Sequence, residues 1–235
     1  MRSFLGWVLL VAILGAIAFV VAPVAVRPLV VDAVRAASPF GSAPLDVEVS
    51  IDPVGLLRGA IERIDVTGVD VQAGSAAIGA LDVTTTNVAI GDHSFDSIEG
   101  SLTSVVITRA DRSTIDVDRV DLSGPSTAVD ATATINHDAA IALVRGALAE
   151  AGLPTDEIDL IEGGVRLQVL GQRTDVAIGV VDGSLTIAGA LAGGQIALFG
   201  PATGDPWRLT GVAITPDDLQ VHASLDLDQA LNPPR

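Results

Sequence analysis

Past residue 40 the chain offers a single helical stretch, and this narrows the fold more than any other feature. Parallel strands need a crossover of a dozen or more residues, usually a helix. One helix cannot connect the many strand-like segments around it, so those segments must pair antiparallel. The stretch runs from Ile135 to Gly152, I-N-H-D-A-A-I-A-L-V-R-G-A-L-A-E-A-G. Asn136 is a good N-cap, Asp138 places a negative charge in the first turn, and Gly152 with Pro154 stops the helix. After the first turn its charges are Arg145 and Glu150, while alanine, leucine, isoleucine and valine cover nearly the whole circumference. A helix apolar all round is a buried helix. Fourteen or so residues span ~21 Å, short of a bilayer core of ~30 Å, so protein, or protein plus an apolar ligand, must bury it.

On either side of the helix the period is two. Leu45, Val47, Val49 and Ile51 alternate with Asp46, Glu48 and Ser50, and Asp52-Pro53 turns the chain. A glycine-bracketed kink, Gly55-Leu56-Leu57-Arg58-Gly59, precedes a strand pattern from Ile61 to Val71 with a break at Gly68. Leu81–Ile90, Leu102–Thr108, Thr114–Leu122 and Ala128–Ile135 follow. After the helix come Gly164–Leu170, Asp175–Val180, Leu185–Leu191, Gln195–Phe199, Trp207–Ile214 and Leu219–Leu227. About eleven strands at these spacings read as a meander. Glycines in or beside them (Gly59, Gly68, Gly79, Gly100, Gly163, Gly164, Gly179, Gly189) permit bulges and curvature. The expected fold is mainly β with one buried helix (α+β): a strongly curved antiparallel meander sheet wrapped around an apolar helix, preceded by an N-terminal transmembrane helix. Glu62-Arg63-Ile64-Asp65-Val66-Thr67-Gly68 is echoed by Asp118-Arg119-Val120-Asp121-Leu122-Ser123-Gly124. Two strand-to-glycine corners of like chemistry account for this without a duplication.

Phe4 to Val26 carries no charge over 23 positions (26 − 4 + 1) and is bracketed by Arg2 and Arg27, long enough to span a bilayer with some tilt. The rival reading is a cleaved signal peptide. Its best small-residue site, Val20-Val21-Ala22, is followed by Pro23, a poor residue after a cleaved bond. Residues 1–27 are therefore expected to anchor the chain in the cytoplasmic membrane. Residues 28–44 form a juxtamembrane amphipathic helix and linker, and residues 45–231 an extracytoplasmic β-rich domain, secreted if the first segment is cleaved.

The formal charge is −16. The first 37 residues hold three Arg and one acid, so residues 38–235 carry 10 basic and 28 acidic side chains, a net of −18. Nucleic acid and polyphosphate are poor partners for such a domain, and anionic headgroups repel it. The interior is aliphatic, since the chain has five Phe, two Trp and no Tyr. Such an interior leaves space that large aromatics would fill, and that space suits an acyl chain. Burying sixteen carbons gains at most roughly 12 kcal/mol at ~0.8 kcal/mol per methylene, before ordering costs. Candidate lipid contacts are Leu56 and Leu57 in the kink, Ala140, Ile141, Val144, Ala147 and Leu148 on the helix, and Leu167, Val169 and Ile178 on the strands after it. The competing reading is a solid aliphatic core without a cavity.

The run Gly55-Leu56-Leu57-Arg58-Gly59, then Glu62-Arg63-Ile64-Asp65-Val66, resembles the LmeA-like phospholipid-binding proteins of actinobacterial-type cell envelopes. So does the later passage from Ala128 through the helix to Ala151-Gly152-Leu153-Pro154. The likeness runs over residues 28 to 231 and is one of pattern. It implies an extracytoplasmic phospholipid-binding domain, distantly like the tubular lipid-binding folds, in cell-envelope lipid biogenesis. It supplies no residue-level site. The acidity of this chain and its lack of Lys and Tyr depart from the pattern and leave headgroup preference open.

Nothing in the sequence calls for a catalytic site, a cofactor or a metal. His93, His137 and His222 sit in unrelated segments and lack the spacing of a ligand set. Asp116, Asp118 and Asp121 belong to a strand and lack the glycine and glutamate of a calcium loop. G-x-S-x-G, P-loop and dinucleotide fingerprints are missing. The expected protein is a non-catalytic, membrane-anchored phospholipid binder. The alternative is a non-catalytic envelope structural or protein-interaction module with a solid core. Cell fractionation with external protease tests the anchor: the intact chain should stay with the membranes and lose its C-terminal domain to the protease. Mature protein starting after Ala22 or Ala25 in the medium would exclude an uncleaved anchor.

Overall fold

The computed structural model describes residues 45–52, 55, 58–73, 76–89, 94–108, 114–153, 155–169, 171–189, 194–201 and 205–227. The expected anchor, the juxtamembrane segment, Leu56, Leu57 and His93 lie outside them. Thirteen strands and one helix are described: β1 (Leu45–Ser50), β2 (Ala60–Ala73), β3 (Ala76–Ala89), β4 (Ser97–Thr108), β5 (Thr114–Gly124), β6 (Val129–Asn136), α1 (His137–Glu150), β7 (Glu157–Ile161), β8 (Gly164–Val169), β9 (Gln172–Val181), β10 (Ser184–Gly189), β11 (Gly194–Phe199), β12 (Trp207–Ile214) and β13 (Asp218–Leu225). All pairings are antiparallel, as the lack of crossover helices requires.

The single meander expected from the spacing is in fact two sheets. An eight-stranded sheet has the order β1-β2-β3-β4-β5-β6-β13-β12, and a five-stranded sheet the order β11-β10-β9-β8-β7. The chain leaves the first sheet through α1, builds the second, and returns so that β13 pairs with β6. One hydrophobic core joins them, drawing Ile64, Leu102, Val120 and Leu219 from the larger sheet and Leu160, Leu167, Ile178 and Leu185 from the smaller. The opposite face of the larger sheet is polar, with Glu48, Asp65, Thr84, Glu99, Ser123, Asp130, Ser224 and Arg208 forming one continuous cross-strand row.

The two sheets also meet through backbone. The turns Glu162-Gly163 and Asp182-Gly183 of the small sheet abut the outer edge of β12: Gly163 donates its N–H to the Ile214 carbonyl, and Leu209 donates to the Gly183 carbonyl, each at 3.1 Å. Both glycines lie in the left-handed region (φ 72 and 73°), as does Asp182 (φ 51°), so Asp182-Gly183 is the two-residue turn that a twisted hairpin prefers.

The strong curl expected from the glycines is not found: the sheet is not strongly curled. The irregular positions crease it instead. Along β2 the buried residues are Ile61, then Ile64 and Val66, then Val71, so the buried phase slips twice. The same slip appears in β3 between Ile78 and Leu81, in β4 between Leu102 and Val105, and in β5 between Val117 and Val120. The register is unchanged on either side, because Val69 opposes Ala80 and Val71 opposes Ile78, and likewise across the next two strand pairs. Asp70, Gly79, Ser104 and Asp118 therefore form a line across four strands, with Asp70 (φ 51°) and Ser104 (φ 52°) left-handed. A shorter crease sets Glu62 opposite Asn87 (φ 50°). A slip taken by both partners leaves the register intact where a one-sided bulge would shift it.

These creases explain the repeated Glu/Asp-Arg-x-Asp motif. Glu62-Arg63 and Asp118-Arg119 are consecutive exposed pairs at the two creases. Each Arg then reaches the Asp two positions on, which shares its face: Arg63 to Asp65 and Arg119 to Asp121, both at 2.7 Å. Thr84 also bonds Asp65, and the Arg63 guanidinium holds the Asp65 carboxyl below the usual carboxylate range.

Asp70→Gly should raise stability by about 0.5–1 kcal/mol, since glycine adopts a positive φ without penalty. Gly100→Ala should lower it by about 1–3 kcal/mol, because a Cβ there would come within 2.7 Å of the Val83 Cα and collide with the Asp82 carbonyl. Urea unfolding of both variants measures the two shifts, and a loss on Asp70→Gly would exclude the crease as a strained conformation.

Candidate functional site

The candidate site is the surround of α1. Its first turn is fixed by Asn136, whose side-chain oxygen accepts from the Ala139 N–H at 3.0 Å while its amide donates to the Asp118 carboxylate at 2.8 Å. One side chain thus caps the helix and ties it to the end of the long crease. The His137 ring Nδ1 lies 2.7 Å from the Pro216 carbonyl, which can only accept, so Nδ1 carries the proton. At the other end Leu153 donates to Leu148 and Gly152 to Ala149, with Gly152 left-handed (φ 74°). This double bond pattern closes the last turn and satisfies carbonyls the helix leaves open.

Expected to be buried all round, α1 has only one buried face. Ala140, Leu143, Val144 and Leu148 face inward at helical spacing, whereas Ala142, Arg145, Gly146, Ala149 and Glu150 are exposed. The reason is size: alanine and glycine count as apolar yet bury little area, so the leucine and valine stripe alone decides which side turns in. Inward, α1 touches β5, β6 and β13 of the large sheet, and β7 and β11, the two outermost strands of the small one.

Eight of the ten candidate lipid contacts are described. Ala140, Val144, Leu148, Leu167 and Ile178 are buried in the common core, with Ala140 and Val144 at 0% exposure. Ile141 and Val169 are partly buried against it, and Ala147 is half-buried on the helix flank. Leu56 and Leu57 lie outside the described residues. Missed from the sequence were Ile158 and Leu160 of β7, which line the same core beside α1. Strict alternation of Glu157-Ile158-Asp159-Leu160 was the available signal.

The interior around α1 offers aliphatic surface and almost nothing else. The buried polar side chains among the described residues are Thr85, Ser126 and Thr186, and no charged side chain is buried there. Ion pairs stay on the outer faces. Arg166 grips Asp175 through two bonds of 2.7 and 2.9 Å and depresses its carboxyl pKa, and Arg173 stands 3.8 Å from Glu157. Asp118 and Asp121 are engaged by Asn136 and Arg119, and His222 by Thr132 at 3.0 Å. Among the described residues no three His, Cys, Asp or Glu side chains come together as a metal group, and no helix is long and apolar enough to cross a membrane. Among the described residues, the side chains packed around α1 are therefore apolar, and the paired charged groups lie outside them.

Comparison with protein-family models, with curated proteins and with solved structures returns no match.

Asn136→Ala should cost about 1–2 kcal/mol for the lost cap and more for the lost tie to Asp118. Asn136→Ser keeps a capping oxygen but loses the amide that donates to Asp118, so its loss against the wild type in urea unfolding isolates the tie, and the further loss on Asn136→Ala isolates the cap. A serine variant as stable as the wild type would show that the tie contributes nothing.

Proposed function

We propose that the protein is a membrane-anchored, extracytoplasmic, non-catalytic phospholipid-binding protein that holds or shuttles acyl-chain lipids in cell-envelope biogenesis. The observation that supports this reading best is the chemistry of the interior: an amphipathic helix between two sheets, facing aliphatic side chains with no buried charge among the described residues. An acyl chain asks for that environment and for little else. The resemblance to LmeA-like proteins and the 23-residue uncharged stretch from Phe4 to Val26 point the same way. Ile141, Ala147 and Val169 are the described candidate residues that keep accessible surface, and they are where a chain would first make contact.

A second reading, the solid interaction module, draws on a specific observation as well. Ala140, Val144, Leu148 and Leu167 have at most 2% of their surface exposed, as in a filled core.

Native mass spectrometry and lipid extraction of the full chain, released from membranes in mild detergent, separate the two. Copurified phospholipid, retained as salt rises, is expected of a lipid holder that binds by apolar burial. Ala147→Trp, at the half-buried flank, should reduce the lipid while leaving thermal unfolding nearly unchanged. Ala140→Trp and Val144→Phe should each cost about 1–3 kcal/mol through overpacking, and Leu148→Asp several kcal/mol through a buried unpaired charge. If every enlarging substitution lowers stability and none alters lipid content, the interaction module takes the place of the lipid holder.

A further inference from the structure

We infer that the β10–β11 hairpin, at one end of the five-stranded sheet, is the part of the domain that rests against a lipid bilayer; the inference builds on the lipid-holding reading above. Gly183 to Gly204 is a run of 22 positions (204 − 183 + 1) without a charged residue, bounded by Asp182 and Asp205. The next longest such run after residue 45, Val71 to Leu81, has 11 positions (81 − 71 + 1). Residues 38–235 carry a net −18, so most of the domain's surface is repelled by anionic headgroups and would have to desolvate carboxylates to touch a bilayer. The hairpin escapes both costs.

Its place in the fold fits contact with a surface. β1 and β7, outer strands like β11, carry acids at alternate positions: Asp46 and Glu48 on β1, Glu157 and Asp159 on β7. The outer edge of β12 is met by the two turns. β11 carries no acid, and among the described residues no turn hydrogen-bonds to it as the two turns do to β12. Gln195 and Ala197 are exposed, and Ile196, Leu198 and Phe199 keep part of their surface accessible. Thr186 of β10 turns its hydroxyl onto the Gly179 carbonyl at 3.3 Å, within the sheet's own backbone. A hydroxyl satisfied internally is compatible with a poorly hydrated setting.

A second protein strand is the less suitable occupant. The β10–β11 register shifts between Leu185 and Thr186, which pair with Phe199 and Ala197 and leave Leu198 without an opposite. A bulge of this kind breaks the regular ladder that a further strand needs, whereas a bilayer requires none. β11 also packs on α1, the helix that carries half of the candidate lipid contacts, so the bilayer would lie beside the proposed lipid store.

The chain has no cysteine, so single Gln195→Cys, Ala197→Cys, Glu48→Cys and Asp82→Cys variants of the full chain can each carry one environment-sensitive fluorophore. They are reconstituted in phosphatidylcholine vesicles with and without phosphatidylglycerol. Labels at 195 and 197 should be several-fold less accessible to an aqueous quencher than those at 48 and 82, and more accessible to a lipid-borne one. Adding Ala197→Asp should reverse this at 195 without changing thermal unfolding. Equal accessibility at all four positions overturns the inference. So does shielding that grows with protein concentration in detergent alone, which would assign the edge to a second copy. Lipid content by native mass spectrometry on the same samples separates the two ideas: retained lipid with an unshielded hairpin sinks the bilayer contact alone, and a shielded hairpin without copurified lipid sinks the lipid store alone.

Discussion

The Asn136 side chain joins parts of the molecule that otherwise answer to different rules. Its oxygen satisfies an open N–H of α1, and its amide holds the carboxylate of Asp118, the last position of the long crease in the large sheet. Helix direction is thereby set by a sheet irregularity. Because α1 begins at the residue after β6 ends, no linker absorbs error in that direction. The small sheet, whose two outermost strands touch α1, inherits the same orientation.

Much of this was legible in the sequence. Period-two alternation gave most strands, and the cap, the first-turn acid and the Gly152 stop gave the helix nearly to the residue. The helix's exposed face was not legible, because hydropathy counts alanine as apolar while burial energy scales with area, and Ala142 and Ala149 have little to bury. The pattern predicts a break of β2 at Gly68, yet the strand runs through it, and β3 and β4 begin at Ala76 and Ser97, earlier than the pattern suggests. A single phase of alternation cannot describe these strands, since the pairs Val69-Asp70 and Thr103-Ser104 each spend two residues in a row on the outside. Two sheets in place of one could not be read at all, since the partner of β6 lies more than eighty residues on, in β13. On the inward helix face, spacing picked out Ala140, Val144 and Leu148 but missed Leu143, and β7 was lost because a five-residue strand between a proline and a glycine looks like a turn.

Charge is sorted by surface with little exception. The arginines that pair do so on outer faces, where exposed ion pairs contribute modestly to stability. Their larger effect is on the character of those faces: each pairing cancels a cation and leaves the remaining acids to dominate. The interior, the helix's inward stripe and the β10–β11 hairpin are then the described regions where apolar matter meets no fixed charge. For a lipid holder that contrast marks out which parts of the molecule water must leave.

The insertion of β13 between β6 and β12 governs how the chain can assemble. β1 to β6 pair with neighbours in sequence and can form as soon as each hairpin is made. β6 must then wait, its outer row of N–H and C=O groups unpaired, while α1 and the whole small sheet are completed, because its partner Asp218–Leu225 comes last. Until then a strand edge is open on a half-built sheet, the condition under which chains pair wrongly with one another. Val129–Asn136 carries a single acid, Asp130, to discourage it. Closing β6 on β13 spans the largest sequence separation of any described strand pairing, so its loop-closure cost comes before any contact rewards it, and the small sheet's turns on β12 hold the β12–β13 hairpin in place once it is formed.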